Sequence, residues 1–171
     1  GVEAVSPDGD KTRIDARFVV DASGRDALLA RGARGTAPIA GLDQTAIYAH
    51  FEGVPRQPDR LEGDVDIVLF RESPGARASW FWFIPFKDGR TSVGAVVSNA
   101  WVKEHRGEPD EMFARAVERS PAAKKLLAGA EPLWPRARAA ADYSYRVGRA
   151  SGDGWLAIGD AGGFIDPLFS S

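Results

Sequence analysis

Two short apolar runs, one near each end of the chain, stop in loops built from Asp and Gly. This pairing constrains the fold more than any other feature of the 171-residue sequence. The first run is Phe18-Val19-Val20, followed by Asp21-Ala22-Ser23-Gly24-Arg25. The second is Trp155-Leu156-Ala157-Ile158, followed by Gly159-Asp160-Ala161-Gly162-Gly163. An uninterrupted apolar run bounded by turn residues suits a strand buried on both faces, as in a parallel sheet.

Ahead of the first run, Val2–Val5 reads as a strand, Ser6-Pro7-Asp8-Gly9-Asp10 as a tight turn and residues 11–20 as the return. Residues 26–30 suit one helical turn and 32–41 a crossing linker. Strands are then expected at 44–51, 65–71, 78–86 and 91–98, broken by Gly53-Val54-Pro55, Ser73-Pro74-Gly75 and Lys87-Asp88-Gly89-Arg90. The last break has the residues of a hairpin turn, so this stretch is expected to form an antiparallel sheet. Glu108-Pro109-Asp110-Glu111 places acids and a proline in a first helical turn, and Met112, Phe113, Ala116 and Val117 then share one face. Ser120-Pro121 restarts a second helix, and residues 137–147 read as a single further strand. The expected fold is α/β with an α+β insert. Residues 1–40 and 151–171 form one domain, and 41–150 form an antiparallel-sheet domain with helices.

The sequence has no Cys, and its only imidazoles are His50 and His105. Disulfides, thiolate nucleophiles and Cys-based metal sites are therefore excluded, and a His-rich metal centre or hydrolytic triad is disfavoured. Each His reads as structural or solvated rather than as a proton shuttle. A net charge of −2 with interspersed signs marks no basic face for nucleic acid or a membrane surface. No stretch approaches the roughly 20 apolar residues of a membrane helix, and no signal peptide opens the chain. The first residues read as mid-strand without an initiator Met, so the expectation is a piece of a longer, soluble, cytoplasmic protein.

The residues from Gly154 onward carry the most chemistry. Ligands of open α/β sheets bind outside the carboxyl ends of strands. A carboxylate at Asp160 can accept hydrogen bonds from ligand hydroxyls there, and glycines let a backbone approach a flat or anionic ligand. A helix opening near Asp166-Pro167 would aim amide donors at the same place. These residues equally suit a plain strand–turn–helix junction with an aspartate N-cap. In Trp80-Phe81-Trp82-Phe83-Ile84-Pro85, the residues Trp80, Trp82 and Ile84 share one face of a strand, while Phe81 and Phe83 take the other. Aromatics on both faces predict burial on both sides, and taken alone the run is a well-packed central strand.

Gly159-Asp160-Ala161 followed by Phe164-Ile165-Asp166-Pro167-Leu168-Phe169-Ser170-Ser171 resembles the second FAD-binding motif of flavin-dependent halogenases and related FAD-dependent monooxygenases. These proteins share a p-hydroxybenzoate hydroxylase-like fold. The resemblance implies FAD as cofactor, with Asp160 on its ribityl chain. It places Gly159, Phe164, Pro167 and Leu168 along the flavin, and Ser170 and Ser171 on the halide side. Asp21-Ala22-Ser23-Gly24 is similar to the motif that ends a strand near the adenosine half of FAD, which gives Asp21 and Gly24 cofactor roles. The order of the two motifs, with an antiparallel insert between them, matches the family. Trp-x-Trp-x-Ile-Pro at 80–85 resembles the halogenase signature. It implies that Trp80, Trp82 and Pro85 form a wall near the flavin that keeps organic substrate away from it. The flanking segments would then be part of a Rossmann-like FAD-binding domain and the insert a substrate domain.

The chain departs from the family pattern in lacking the Gly-x-Gly-x-x-Gly loop and the lysine that hands hypohalous acid to substrate. Lys87, Lys103, Lys124 and Lys125 sit in turn or helix contexts and are not assigned that role. Tryptophan-directed halogenases carry Glu where Phe169 stands, so the resemblance points to a phenol- or pyrrole-directed branch. It implies halogenation of an electron-rich substrate, free or tethered to a carrier protein, from reduced FAD, O2 and halide by way of hypohalous acid. A separate flavin reductase would supply the reduced FAD. The alternatives are a flavin monooxygenase, an ene-reductase similar to geranylgeranyl reductases, and a non-catalytic binding domain.

Overall fold

The computed structural model describes residues 1–58, 63–133 and 137–166. In chain order the elements are β1 (Val2–Val5), β2 (Lys11–Ile14), β3 (Val19–Asp21), α1 (Leu28–Arg34), β4 (Thr36–Pro38), β5 (Gln44–Glu52), β6 (Asp66–Arg71), β7 (Ala78–Pro85), β8 (Thr91–Ser98), α2 (Asn99–Glu104), α3 (Pro109–Arg119), α4 (Pro121–Leu126), β9 (Glu131–Pro132), β10 (Arg138–Ala141), β11 (Tyr145–Val147), β12 (Ser151–Gly152), β13 (Trp155–Ala157) and β14 (Gly163–Phe164). They group into two compact units. One joins the residues up to Asp43 with those from Asp142 onward, and the other is Gln44–Ala141.

In the first unit, β1 and β2 form the expected hairpin. The return does not continue unbroken to Val20: β3 leaves β2 and pairs in parallel with β13, with Val20 opposite Leu156. β12 completes a three-stranded sheet in the order β12-β13-β3. The expectation of burial on both faces fails here. Phe18 and Val20 are 52% and 53% exposed, because nothing among the described residues covers that face. A second small sheet runs β14-β11-β4. Part of the expected crossing linker is thus α1, and part is the strand β4.

The central unit is an antiparallel sheet in the order β10-β5-β8-β7-β6, with β9 pairing the end of β5. The β7–β8 turn closes as its residues require. Phe86 N donates to Arg90 O (2.7 Å), Asp88 Oδ1 accepts from Arg90 N (3.1 Å), and Gly89 takes a φ of +94° that a side chain would resist. One sheet face carries Ile47, Phe81, Phe83 and Val93 and meets the apolar stripe of α3, where Met112, Phe113 and Ala116 are buried. Phe113 stacks on Phe51 (5.7 Å between centroids) and meets Phe81 edge-on (6.1 Å). Its burial stabilises the unit by about 1.5–3 kcal/mol.

The helix α2 goes beyond the sequence reading. Its local signal was Ser98, whose Oγ accepts from Trp101 N at 3.1 Å as an N-cap. The single strand expected over 137–147 is instead β10 and β11, separated by Asp142 at φ +47°. β10 pairs with β5, whereas β11 pairs with β4 and β14. Residues 142–150 therefore belong with the first unit and not with the sheet domain in which the sequence placed them.

Candidate functional site

The pairing of β3 with β13 sets the two Asp/Gly loops side by side. Asp21 lies opposite Ala157, and Ile158 N donates to Asp21 O at 2.9 Å. Each strand then runs into a 3-10 turn, Gly24–Asp26 and Gly159–Gly162 respectively, and the two turns touch. Gly24 and Gly159 adopt φ of +62° and +55°, and a Cβ at either would meet nothing within 4 Å. Both therefore present open, side-chain-free backbone at the carboxyl edge of a parallel pair, where α/β sheets receive ligands.

The two aspartates of these loops do different work. Asp21 is buried, and both of its oxygens are engaged: Oδ1 accepts from Ser23 N (3.0 Å) and Oδ2 from Leu29 N (2.8 Å). The Ser23 hydroxyl beside it, and then the amides of Leu29, Ser23 and Ala30, hold its carboxyl below the usual range against the opposing effect of burial. Ser23 Oγ in turn accepts from Leu28 N at 3.1 Å. The residue before α1, Ala27, sits in the left-handed region (φ +45°) and offers no capping side chain. Asp21 and Ser23 replace it from upstream. Asp160 is half-buried, and its carboxylate accepts no hydrogen bond and forms no ion pair among the described residues. Its main-chain carbonyl is held twice, by the Tyr145 hydroxyl at 2.5 Å and by Gly163 N, which closes the turn.

Residues 143–146 run along the second loop. β11 pairs with β14, placing Tyr145 opposite Phe164 and Arg146 opposite Gly163. Ser144 Oγ donates to Ile165 O. Tyr143 is buried and meets Phe164 edge-on at 6.0 Å, and burial followed by the Asp166 carboxylate pushes its phenol far above the ordinary value. Burial, then the charge of Asp160, also raises the Tyr145 phenol.

The aromatic strand β7 lies in the other unit. Trp80 is buried and Trp82 half-buried, on the sheet face opposite the Phe81 and Phe83 core. Their rings lie 5.9 Å apart. Trp82 crosses β8, donates from Nε1 to Ser92 Oγ (3.2 Å) and approaches the ring of Tyr48 at 6.1 Å. It can do so because its cross-strand partner is Gly94, which leaves the space the indole fills. Pro85 ends the strand opposite Thr91 and is half-buried.

The structure thus brings Asp21, Gly24, Gly159, Asp160 and Phe164 to one edge of the first unit, and places Trp80, Trp82 and Pro85 on one strand of the second. Pro167, Leu168, Phe169, Ser170 and Ser171 lie outside the described residues. His50 packs edge-on against Phe86 (5.3 Å), and His105 stacks on Trp101 (4.4 Å), which are packing roles. Among the described residues, no cluster of acidic or imidazole side chains could hold a metal, and no helix is long and apolar enough to cross a membrane. Sequence reasoning passed over Tyr143, Ser144 and Tyr145, whose only signal is a run of three hydroxyls. The fit to a flavin is good: two open glycine faces and one uncommitted carboxylate at a strand edge suit a long, hydroxyl-bearing cofactor approaching the backbone.

The chain matches the tryptophan halogenase family over residues 2–171. It is 35% identical over 161 residues to a 1H-pyrrole-2-carbonyl-(peptidyl-carrier protein) chlorinase of Pseudomonas fluorescens, covering 92% of this chain and 35% of that protein. It is 32% identical over 161 residues to the corresponding brominase of Pseudoalteromonas luteoviolacea, covering 92% and 38%. Among solved structures, the myxobacterial chondrochloren halogenase CndH aligns with a TM-score of 0.86 at 31% identity, over 99% of this chain and 38% of that one. The flavin-dependent brominase Bmp2 aligns with a TM-score of 0.84 at 30% identity, over 99% and 42%. The chain spans about two-fifths or less of the length of the curated relatives it matches.

Proposed function

The chain belongs to the tryptophan halogenase family, and on that premise we propose that it forms part of an FAD-dependent halogenase, contributing one edge of the flavin site and an aromatic screen. The observation that carries the proposal is the uncommitted carboxylate of Asp160 beside the open backbone of Gly24 and Gly159. FAD, once reduced, supplies the redox chemistry that lets O2 oxidise halide to hypohalous acid.

The protein's own residues bind, orient and exclude. Asp160 accepts hydrogen bonds from the ribityl hydroxyls. Gly24 and Gly159 let the cofactor approach the main chain more closely than any side chain would allow. Asp21, with both oxygens committed to Ser23 and Leu29, holds the first loop in shape so that Gly24 stays presented to the adenosine half. Phe164, packed on Tyr143, backs the loop. Trp80, Trp82 and Pro85 form a rigid wall that keeps organic substrate from the reactive flavin. Pro167 and Leu168 along the flavin and Ser170 and Ser171 on the halide side complete the proposed site.

The substrate is an electron-rich ring, and the carrier-protein chlorinase and brominase among the relatives support a pyrrolyl group tethered to a carrier protein. A flavin reductase working in the same cytoplasm supplies the reduced cofactor. The full-length protein, incubated with FAD, a reductase, chloride or bromide and a panel of phenols and a pyrrolyl-carrier protein, should give halogenated mass shifts. Products carrying oxygen alone would reject halogenation. Loss of bound flavin in Asp160→Ala is the expected companion result.

A further inference from the structure

We infer that Tyr145 is a positioning residue for the flavin loop, fixing the direction of the Asp160 carboxylate by holding the Asp160 main-chain carbonyl. Tyr145 has this role only if Asp160 meets the flavin as proposed above. The 3-10 turn that carries Asp160 is bounded by Gly159 at φ +55° and Gly163 at φ +137°. Glycine populates such conformations without strain, but it also leaves them free to change. Nothing in the carboxylate's own contacts restrains it either, since among the described residues it has no partner. The direction of that side chain must therefore be set through the main chain.

Tyr145 touches both ends of the turn. Its hydroxyl donates to Asp160 O at 2.5 Å. Its own carbonyl lies 3.2 Å from where a Cβ would stand at Gly163, and its backbone pairs with Phe164. The same residue is tied to the rest of its unit, since β11 also pairs with β4, with Tyr145 opposite Pro38. Neighbours strengthen the hold on the trailing segment: Ser144 Oγ donates to Ile165 O, and Tyr143 packs on Phe164. Gly163 N also donates to Asp160 O, but it belongs to the same turn, so the Tyr145 hydroxyl is the contact that ties this carbonyl to another strand. Turning the peptide at Asp160 out of this hydrogen bond would carry the carboxylate away with it. The phenol keeps the proton it donates at ordinary pH, because burial and the Asp160 charge both raise its pKa.

The test measures FAD affinity in the full-length protein by quenching of flavin fluorescence, together with the visible circular dichroism of the bound flavin. Tyr145→Phe keeps the ring and removes only the donor. It should weaken FAD about two- to tenfold, the scale of losing one hydrogen bond while Asp160 O keeps Gly163 N, and should change the dichroism. In an Asp160→Ala background the same change should add little, because the phenol acts through that carboxylate. Tyr145→3-fluorotyrosine, with a stronger donor, should tighten binding, and it supplies the readout if Asp160→Ala binds no flavin. Unchanged affinity in both Tyr145 variants, or an equal Tyr145→Phe penalty with and without Asp160, would overturn the role. An unmodified protein that binds no FAD would instead sink the flavin reading itself.

Discussion

Gly94 on β8 decides whether Trp82 can lie across the sheet, and Gly94→Ala is the sharpest perturbation of the proposed screen. A Cβ at Gly94 would stand 2.1, 2.3 and 2.5 Å from Cζ2, Cη2 and Cε2 of Trp82. Carbon atoms in contact prefer about 3.5–4.0 Å, so one of the two groups must move by more than an ångström. The indole is not a flexible tip. Its Nε1 donates to Ser92 Oγ, and its ring is flanked by Tyr48 and Trp80. Forcing a methyl beneath it costs about 1–3 kcal/mol in overpacking, and losing the Ser92 hydrogen bond adds about 0.5–1.5 kcal/mol. Alanine's stiffer backbone offsets about 0.5–1 kcal/mol. The net expectation is a loss of about 0.5–4 kcal/mol, at about 4–8 °C of melting temperature per kcal/mol for a unit of this size. Urea and thermal unfolding followed by tryptophan fluorescence measure the loss, and near-ultraviolet circular dichroism reports the displaced indole. In a Trp82→Ala background Gly94→Ala should cost almost nothing, because the clash has gone. Wild-type unfolding midpoints and an unchanged indole signal in Gly94→Ala would refute the reasoning.

Three further outcomes follow from the packing and the charges. Phe113→Ala removes the ring that joins α3 to Phe51 and Phe81, and should destabilise the central unit by about 3–5 kcal/mol in denaturant titrations. Asp21 has a folded-state pKa below its unfolded value of 3.8, so its stabilisation is present above that value and lost as pH falls through the lower folded one. Asp21→Asn should flatten that acid limb of the stability curve, and parallel curves for variant and wild type would count against the role given to Asp21. Tyr143 has a folded-state pKa raised above the ordinary 10.0, so its contribution is full below pH 10.0 and fades as pH climbs toward the folded value. Phenolate absorbance in folded protein should therefore lag that of a Tyr143→Phe control plus one free tyrosine as the pH passes 10.0.

The central sheet was legible because its signals are local. Alternating apolar residues and the Lys87–Arg90 turn chemistry place β5 to β8 within a residue or so of their observed ends. The amphipathic stripe of α3 was equally local, since residues at helical spacing carry their face with them. Residues 137–147 read as one strand, whereas a single left-handed residue, Asp142, turns the chain from one sheet to another. The apolar run 18–20 misled similarly: composition records which residues favour burial, not whether anything lies over them.

From sequence alone came the fold class, the reading of each end segment as a parallel-sheet strand and the identity of the loops worth watching, because strand periodicity and Asp/Gly turns are written in neighbouring residues. Only the tertiary structure separated the two aspartates. Asp21 spends its carboxylate on the Ser23 and Leu29 amides, while Asp160 keeps its own open and lends only a carbonyl to Tyr145, fifteen residues away in sequence. A hydrogen bond depends on distance in space, and which donors arrive at an oxygen is settled when separate strands come together.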